Sequence, residues 1–536
     1  MNPRKVRFVT LAASATFSVA VVPALSGCAA EPAGAEGASP APTQVARAAE
    51  PADSVLVLGS ADPAELALTA SQTFFDAAPV VVLAAAGDVA AQATAAAVAA
   101  PLTAPVLLVG GGISDGGVRT ELDRLGAVAV VEVAEDPVPP GGAQSGGADA
   151  SDDGSEALEG LDDVTSVRLD VDALTPEGEI DPRDLEDLQD ALPARGEADV
   201  LTEVLVLSQP GEAQVAAVAT ARAAGALPVE VAGGDPRADA SVVETISQAK
   251  ALAVVGIGAE FGTSQELGWR VRAAESGVLL PSGTQLVLAG DARYVAVGAD
   301  AVTSRLEAVD AEDAAEALAD ARTAADAFAA ESGGPAVPVV EVRATRSSSS
   351  AGTDGDYSTE VPADELRPFV DAAAAAGVHV VLSFEPGRAT FDEQVAEYAG
   401  LLALPGVGVA LDVSARRGAV RSGTVDAAEV EAVAVLLGET VRSGALPQKL
   451  LVVQTPAADA VRGLADLDAG AGELAVVVQS IASGGYERRV DAWDGVVSGS
   501  PTDAVPGWTT GSSDPALDVA GVLALEPAPR YVAAAP

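Results

Sequence analysis

LRPFVDAAAAAGVHVVLSFEPGR, residues 366–388, carries the pattern that decides the fold. A helical, alanine-rich stretch runs into an apolar segment, 380–385, which ends on a polar residue, Glu385. The same succession recurs along the C-terminal half. Apolar segments at 337–341, 407–412, 450–454 and 474–479 end on Glu341, Asp412, Gln454 and Gln479, with helical patterns between them. Strands alternating with helices imply a parallel sheet covered on both faces. Over 281–536 they predict a β/α-barrel-like domain, although fewer than eight strands are distinct and closure of the barrel is left open.

In such a barrel the C-terminal strand ends form the mouth where ligands bind. Glu385, Asp412, Gln454 and Gln479 are therefore expected to ring one opening, and together with Arg388 they are the ligand-binding candidates. Glycoside hydrolysis needs two carboxylates there, one acid and one nucleophile or base, which makes Glu385 and Asp412 the catalytic candidates. The plainer alternative is that these residues cap strands at a solvated rim. Scarce aromatics weigh on that side, because sugar subsites stack rings and the tryptophans are only Trp269, Trp493 and Trp508.

Upstream, strands are expected at 55–59, 80–84, 106–109 and 128–133, with helices at 64–76, 90–100 and 118–125. The pattern returns as strands at 204–207, 228–231 and 252–255 and helices at 212–224, 241–249 and 264–276. This internal repeat gives the α/β fold class expected here: two parallel-sheet three-layer units, 54–136 and 164–280, followed by the barrel. A Gly/Pro/Ser/Asp-rich linker, 137–163, separates the units, and a further break at 346–356 contains four consecutive serines.

The chain starts with Arg4, Lys5 and Arg7, an apolar run at 8–22, and the small-residue end Leu25-Ser26-Gly27-Cys28. That order reads as a secretory signal, 1–27, and its run of roughly 15 residues is shorter than the 18 or more needed to span a bilayer. Its end resembles the lipobox of bacterial lipoproteins, which implies that the protein is extracytoplasmic and anchored to the membrane through lipid on Cys28. Cys28 is the sole cysteine, so the fold is held by its core without disulfides. The segment 28–53, rich in Ala, Pro, Glu and Gly, is expected to be a flexible stalk.

The 536 residues carry 78 acidic and 30 basic side chains, a formal charge of −48, and lysine occurs only at positions 5, 250 and 449. Nucleic acid is excluded as a partner on that balance. The charge keeps an alanine-rich protein dispersed and repels anionic wall polymers unless cations bridge them.

Two resemblances add to this reading. The segments APVLLVGGG (104–112) and VRTELDRLGAVAVVEV (118–133) resemble the type-two cell wall-binding repeats of Gram-positive surface proteins, matching at Pro105, Gly110 to Gly112, Leu125 and Gly126. That resemblance implies non-covalent contact with cell wall polysaccharide or peptidoglycan. GTQLVL (283–288), DGDYS (354–358), LRPFVDAAAAAGVHVVLSFEPGR, LPGVGVALD (404–412), VDAAEV (425–430) and LPQKLLVVQ (446–454) together resemble an uncharacterised, glycosidase-barrel-like module of actinobacterial lipoproteins. Where related modules read roughly Asp-Leu-Gln before Pro-Gly-Arg, this chain has Ser383-Phe384-Glu385, a departure pointing to an eroded site.

Other motifs are weaker. GISDG (112–116) fits a hydrolase nucleophile elbow at Ser114, yet the only histidine, His379, lies at the start of an apolar strand in the other half and reads as a core residue. That also removes histidine-based zinc sites and histidine acid/base catalysis. GIGAEFG (256–262) reads as a tight turn rather than a dinucleotide cradle. Asp354-Gly355-Asp356 with Glu360 reads as a turn rather than a Ca²⁺ loop. No metal or cofactor is expected. The reading is therefore a lipid-anchored envelope binding or scaffold protein, with a glycoside hydrolase-like enzyme as the alternative.

Overall fold

Period-two burial closes the C-terminal half into a barrel of eight parallel strands. The structure, a computed structural model, describes residues 44–134, 164–298, 311–418, 422–468, 472–510 and 519–534. Numbering the sixteen long strands in chain order, the barrel comprises β9 (Arg293–Gly298), β10 (Ala336–Arg343), β11 (His379–Phe384), β12 (Val407–Asp412), β13 (Lys449–Thr455), β14 (Leu474–Ser480), β15 (Val505–Thr509) and β16 (Tyr531–Ala534). They pair in that order, and β16 returns to β9. Tyr294, Val339, Val381, Ala410, Val452 and Val477 fill the interior, while their neighbours Val340, Leu382, Leu411, Leu451 and Val478 pack outward beneath the helices.

The N-terminal strands are β1 (Val55–Leu58), β2 (Val80–Ala85), β3 (Val106–Val109), β4 (Ala129–Ala134), β5 (Thr165–Asp170), β6 (Val204–Ser208), β7 (Leu227–Glu230) and β8 (Ala253–Ile257). They form two wholly parallel four-stranded sheets, ordered β3-β2-β4-β5 and β1-β8-β6-β7. The two consecutive repeat units expected from sequence are not how these sheets are assembled. Val55–Leu58 joins the second sheet, and Thr165–Asp170 joins the first. Most of these strands present the same short Val/Leu pattern, which marks them as parallel without choosing their neighbours, and Thr165–Asp170, with its polar Thr, Ser, Arg and Asp, was not expected as a strand at all.

The alanine excess has a structural reason. The helices Pro63–Phe74, Val89–Leu102 and Val215–Ala223 share one core with both sheets, through Ala67, Ala70, Ala95, Ala99, Ala217 and Ala221, each at most 1 % exposed. Small side chains let these helices pack closely enough for the Thr220 hydroxyl to accept from the Val106 backbone N–H at 2.9 Å.

Part of the expected stalk is built into this layer. The Ala48 N–H donates to Asp199 O, the Asp199 N–H to Ala46 O, and Ala46 is buried. Backbone pairing and a buried alanine hold 44–48 in place. Cys28, the signal segment and the linker lie outside the described residues, and among those described no helix is long and apolar enough to cross a membrane.

The segment joining the second sheet to the barrel closes the barrel's N-terminal end, where Leu280, Val287 and Leu288 join its interior. Gln285 is fully buried there. Its amide donates to Ala273 O and Val278 O, its N–H donates to Arg237 O, and its carbonyl accepts from the Gln448 N–H.

Candidate functional site: the barrel mouth

Toward the C-terminal strand ends the interior positions turn polar. Two residues beyond Val339, Val381, Ala410, Val452 and Val477 stand Glu341, Ser383, Asp412, Gln454 and Gln479, so strand alternation aims them into the same space.

They are bonded to one another. The Gln454 side-chain amide donates to both Glu341 carboxylate oxygens, at 3.0 and 3.2 Å, and to Gln479 Oε1 at 3.0 Å. Gln479 donates onward to the Thr509 hydroxyl at 2.8 Å, and the Tyr531 hydroxyl lies 3.4 Å from Glu341. Burial pushes the Glu341 carboxyl above its ordinary range, the charge of Asp412 adds to this, and the Gln454 and Ser383 donors oppose it. The Tyr531 phenol is likewise held well above its usual value, by burial first and then by Glu341.

Asp412 caps the turn that follows it, accepting from the Ser414 N–H at 2.9 Å and the Ser414 hydroxyl at 2.6 Å. Burial raises its carboxyl, with the Glu385 charge adding, against the Ser414 bonds. Glu385 lies one residue past β11. It accepts from the Ser347 N–H at 2.8 Å and pairs with Arg343 at 3.2 Å. Arg388 is exposed, its guanidinium stacked 4.1 Å over the Tyr357 ring. Gln454 and Gln479 thus lie inside the barrel, Asp412 at its edge, and Glu385 and Arg388 on the loop above.

Sequence reasoning did not place the acceptor at the centre, Glu341, although the segment 337–341 ended on a polar residue like its neighbours. Tyr531 and Thr509 gave weaker signals, because their strands are short and follow no clear helical pattern.

The remaining motifs fall outside this site. Ser114 is an exposed helix N-cap with an ordinary φ of −73°. The Glu260 carboxylate and Gln214 amide crowd Gly258, so a negative charge already occupies that turn. Asp354 and Asp356 accept from nearby backbone N–H groups, and among the described residues no group of three or more His, Cys, Asp or Glu is arranged to hold a metal. His379 is buried, edge-on to Tyr294 with centroids 5.3 Å apart.

The sequence matches no protein-family model and no curated protein at a significant level. Among solved structures it is similar to Cwp6 from Clostridium difficile, at 12 % identity and a TM-score of 0.29. The match covers 56 % of this chain and 64 % of that protein, less than two thirds of its length. A likeness of that degree establishes neither a shared fold nor a shared role.

Proposed function

We propose that this chain is an extracytoplasmic protein, lipid-anchored through Cys28, that binds or scaffolds components of the cell envelope, and that its barrel mouth contacts wall polysaccharide or peptidoglycan without cleaving it. The observation that carries this reading is the engagement of every candidate carboxylate with the protein itself: Glu341 by Gln454, Asp412 by Ser414, and Glu385 by Arg343 and Ser347. A hydrolytic pair needs one carboxylate free to attack or to activate water and another free to protonate the leaving oxygen.

A second reading, a glycoside hydrolase-like enzyme, has one observation in its favour. Glu341 and Asp412 are both pushed toward the protonated form in one recess, as a general acid requires. The deciding experiment incubates the chain from residue 29 onward with purified envelope polysaccharide and peptidoglycan, scoring retention and new reducing ends. Retention without products, unchanged in Glu385→Gln and Asp412→Asn, is expected. Reducing ends that vanish in Asp412→Asn and in either Glu385→Gln or Glu341→Gln establish the enzyme, and absence of retention overturns the binding reading.

A further inference from the structure

The acidic chain gathers its arginines unevenly. The end of β10 and the loops after β10, β11 and β12, three neighbouring barrel strands, carry Arg343, Arg346, Arg388, Arg416 and Arg417 out of 30 basic residues in the whole sequence. Arg343 pairs with Glu385, and Arg416 with Glu429. Arg346, Arg388 and Arg417, all exposed, have no carboxylate partner among the described residues. With acids outnumbering bases by 78 to 30, leaving three guanidiniums on neighbouring loops unneutralised calls for a reason, and the backbones that carry Arg388 and Arg417 are bonded to one another.

The loops are built to hold them. The Arg417 N–H donates to Gly387 O and the Arg388 N–H to Asp356 O, each at 2.6 Å. Gly387 has a φ of 56°, and a Cβ there would meet Asp356 O at 2.5 Å, so the approach of the loops depends on glycine. Stacking on Tyr357 holds the guanidinium of the exposed Arg388 against a ring face. The nearby Asp356 carboxylate is turned onto the Ser358 N–H and hydroxyl.

Resting on the polymer-binding reading above, we propose that Arg388 and Arg417 seat the carboxylate or phosphate of an acidic sugar whose hydroxyls face the Glu385 and Asp412 side of the mouth. Guanidinium forks match either anion. A glycan is favoured over an anionic membrane because none of the exposed large apolar side chains (Val89, Val200, Leu227, Leu252, Val278, Leu279, Val435 and Tyr486) lies on these loops.

The test measures equilibrium binding of the full chain in detergent micelles, at low salt, to polygalacturonate, poly(glycerol phosphate), neutral dextran and anionic phospholipid vesicles. Binding to one or both acidic polymers and not to dextran is expected, with Arg388→Gln/Arg417→Gln weakening it about tenfold or more. Arg367→Gln, at an arginine paired with Asp371, is expected to leave it unchanged. Which acidic polymer binds more tightly distinguishes carboxylate from phosphate. Failure to bind either, binding indifferent to the double variant, or a double-variant effect confined to vesicles overturns the proposal. Retention of the double variant on whole envelope polysaccharide at the wild-type level overturns this seat alone, whereas no retention of the wild type removes the underlying reading as well.

Discussion

Gln454 reaches across the barrel from β13 to donate to Glu341 on β10 at 3.0 Å, although two strands, β11 and β12, separate theirs around the wall. This bond spans the interior just below the mouth and leaves one side-chain amide holding a recessed carboxyl. Gln454→Leu is expected to lower stability by about 1–3 kcal/mol, because Glu341 and Gln479 each lose a donor in a desolvated place. Glu341→Gln is expected to act in the opposite direction at neutral pH. A carboxyl whose folded pKa is raised takes up more protons folded than unfolded, so its contribution is fullest in acid and falls as pH rises from its ordinary range through its raised value. Urea melts of both variants from about pH 3, below the roughly 4.3 of a free glutamate, to about pH 8 check this. A Glu341→Gln variant no more stable than wild type at the upper end contradicts it.

The barrel was legible because its strands repeat one grammar, an apolar run with a polar C-terminal end, and the polar ends of 380–385 and 407–412 mark the mouth. Closure was not legible, since β15 and β16 are short and β9, as long as β11 or β12, ends on Gly298 rather than on a polar residue. Strand exchange between the N-terminal sheets was hidden for a different reason. Val55–Leu58 pairs with Ala253–Ile257 some 200 positions away, and nothing in four alternating apolar residues specifies that partner. The bond between Gln454 and Glu341 is likewise a property of closure, visible only once β10 and β13 face each other across the interior.

The N-terminal layers are riveted to the barrel by Arg237. Its guanidinium forks onto Asp235 at 2.7 and 3.0 Å, lies 4.4 Å over the Trp269 ring, and donates to Gly472 O, beside β14, at 2.9 Å. The side chain is fully buried. Arg237→Ala is expected to cost up to about 3–5 kcal/mol, since it removes both guanidinium bonds to Asp235 and leaves only Arg270, 4.0 Å away, beside that carboxylate. Arg237→Lys is expected to recover little of that, because an ammonium cannot make the planar fork and the ring stack together. Equilibrium unfolding followed by Trp269 fluorescence measures both, and recovery of wild-type stability in the lysine variant argues against the rivet.

His379 is buried in the barrel floor. Both ring nitrogens lack a hydrogen-bond partner among the described residues, and burial, aided by the Lys449 charge, lowers its pKa to about 3. An imidazole that refuses a proton until pH 3 when folded, and accepts one near 6.5 when unfolded, weakens the fold progressively as pH falls between those values. The cumulative loss is up to roughly 5 kcal/mol at the lower end. His379→Leu removes this titration, so the stability gap between wild type and variant should shift against the wild type on going from pH 7 to pH 4 (about the span in which an ordinary histidine titrates). A gap that stays constant rules out the buried neutral state.

Lys449 supplies the matching test at the other end of the scale. It is buried, with its ammonium donating to Leu404 O and Val407 O at 3.0 Å each, and burial lowers its pKa to about 7. Between that value and the roughly 10.4 of a free lysine, the unfolded chain binds the proton that the folded chain releases, so stability rises with pH across the window. Below pH 7 the folded protein must bury the charge, held by two carbonyls and no carboxylate among the described residues. Lys449→Met removes the titration but leaves both carbonyls without this donor. The two effects separate by pH: the carbonyl loss is constant, whereas the titration term disappears only in the variant. Stability of the wild type relative to the variant is therefore expected to climb from neutral to alkaline pH, and a flat difference would show that Lys449 keeps an ordinary pKa in the folded state.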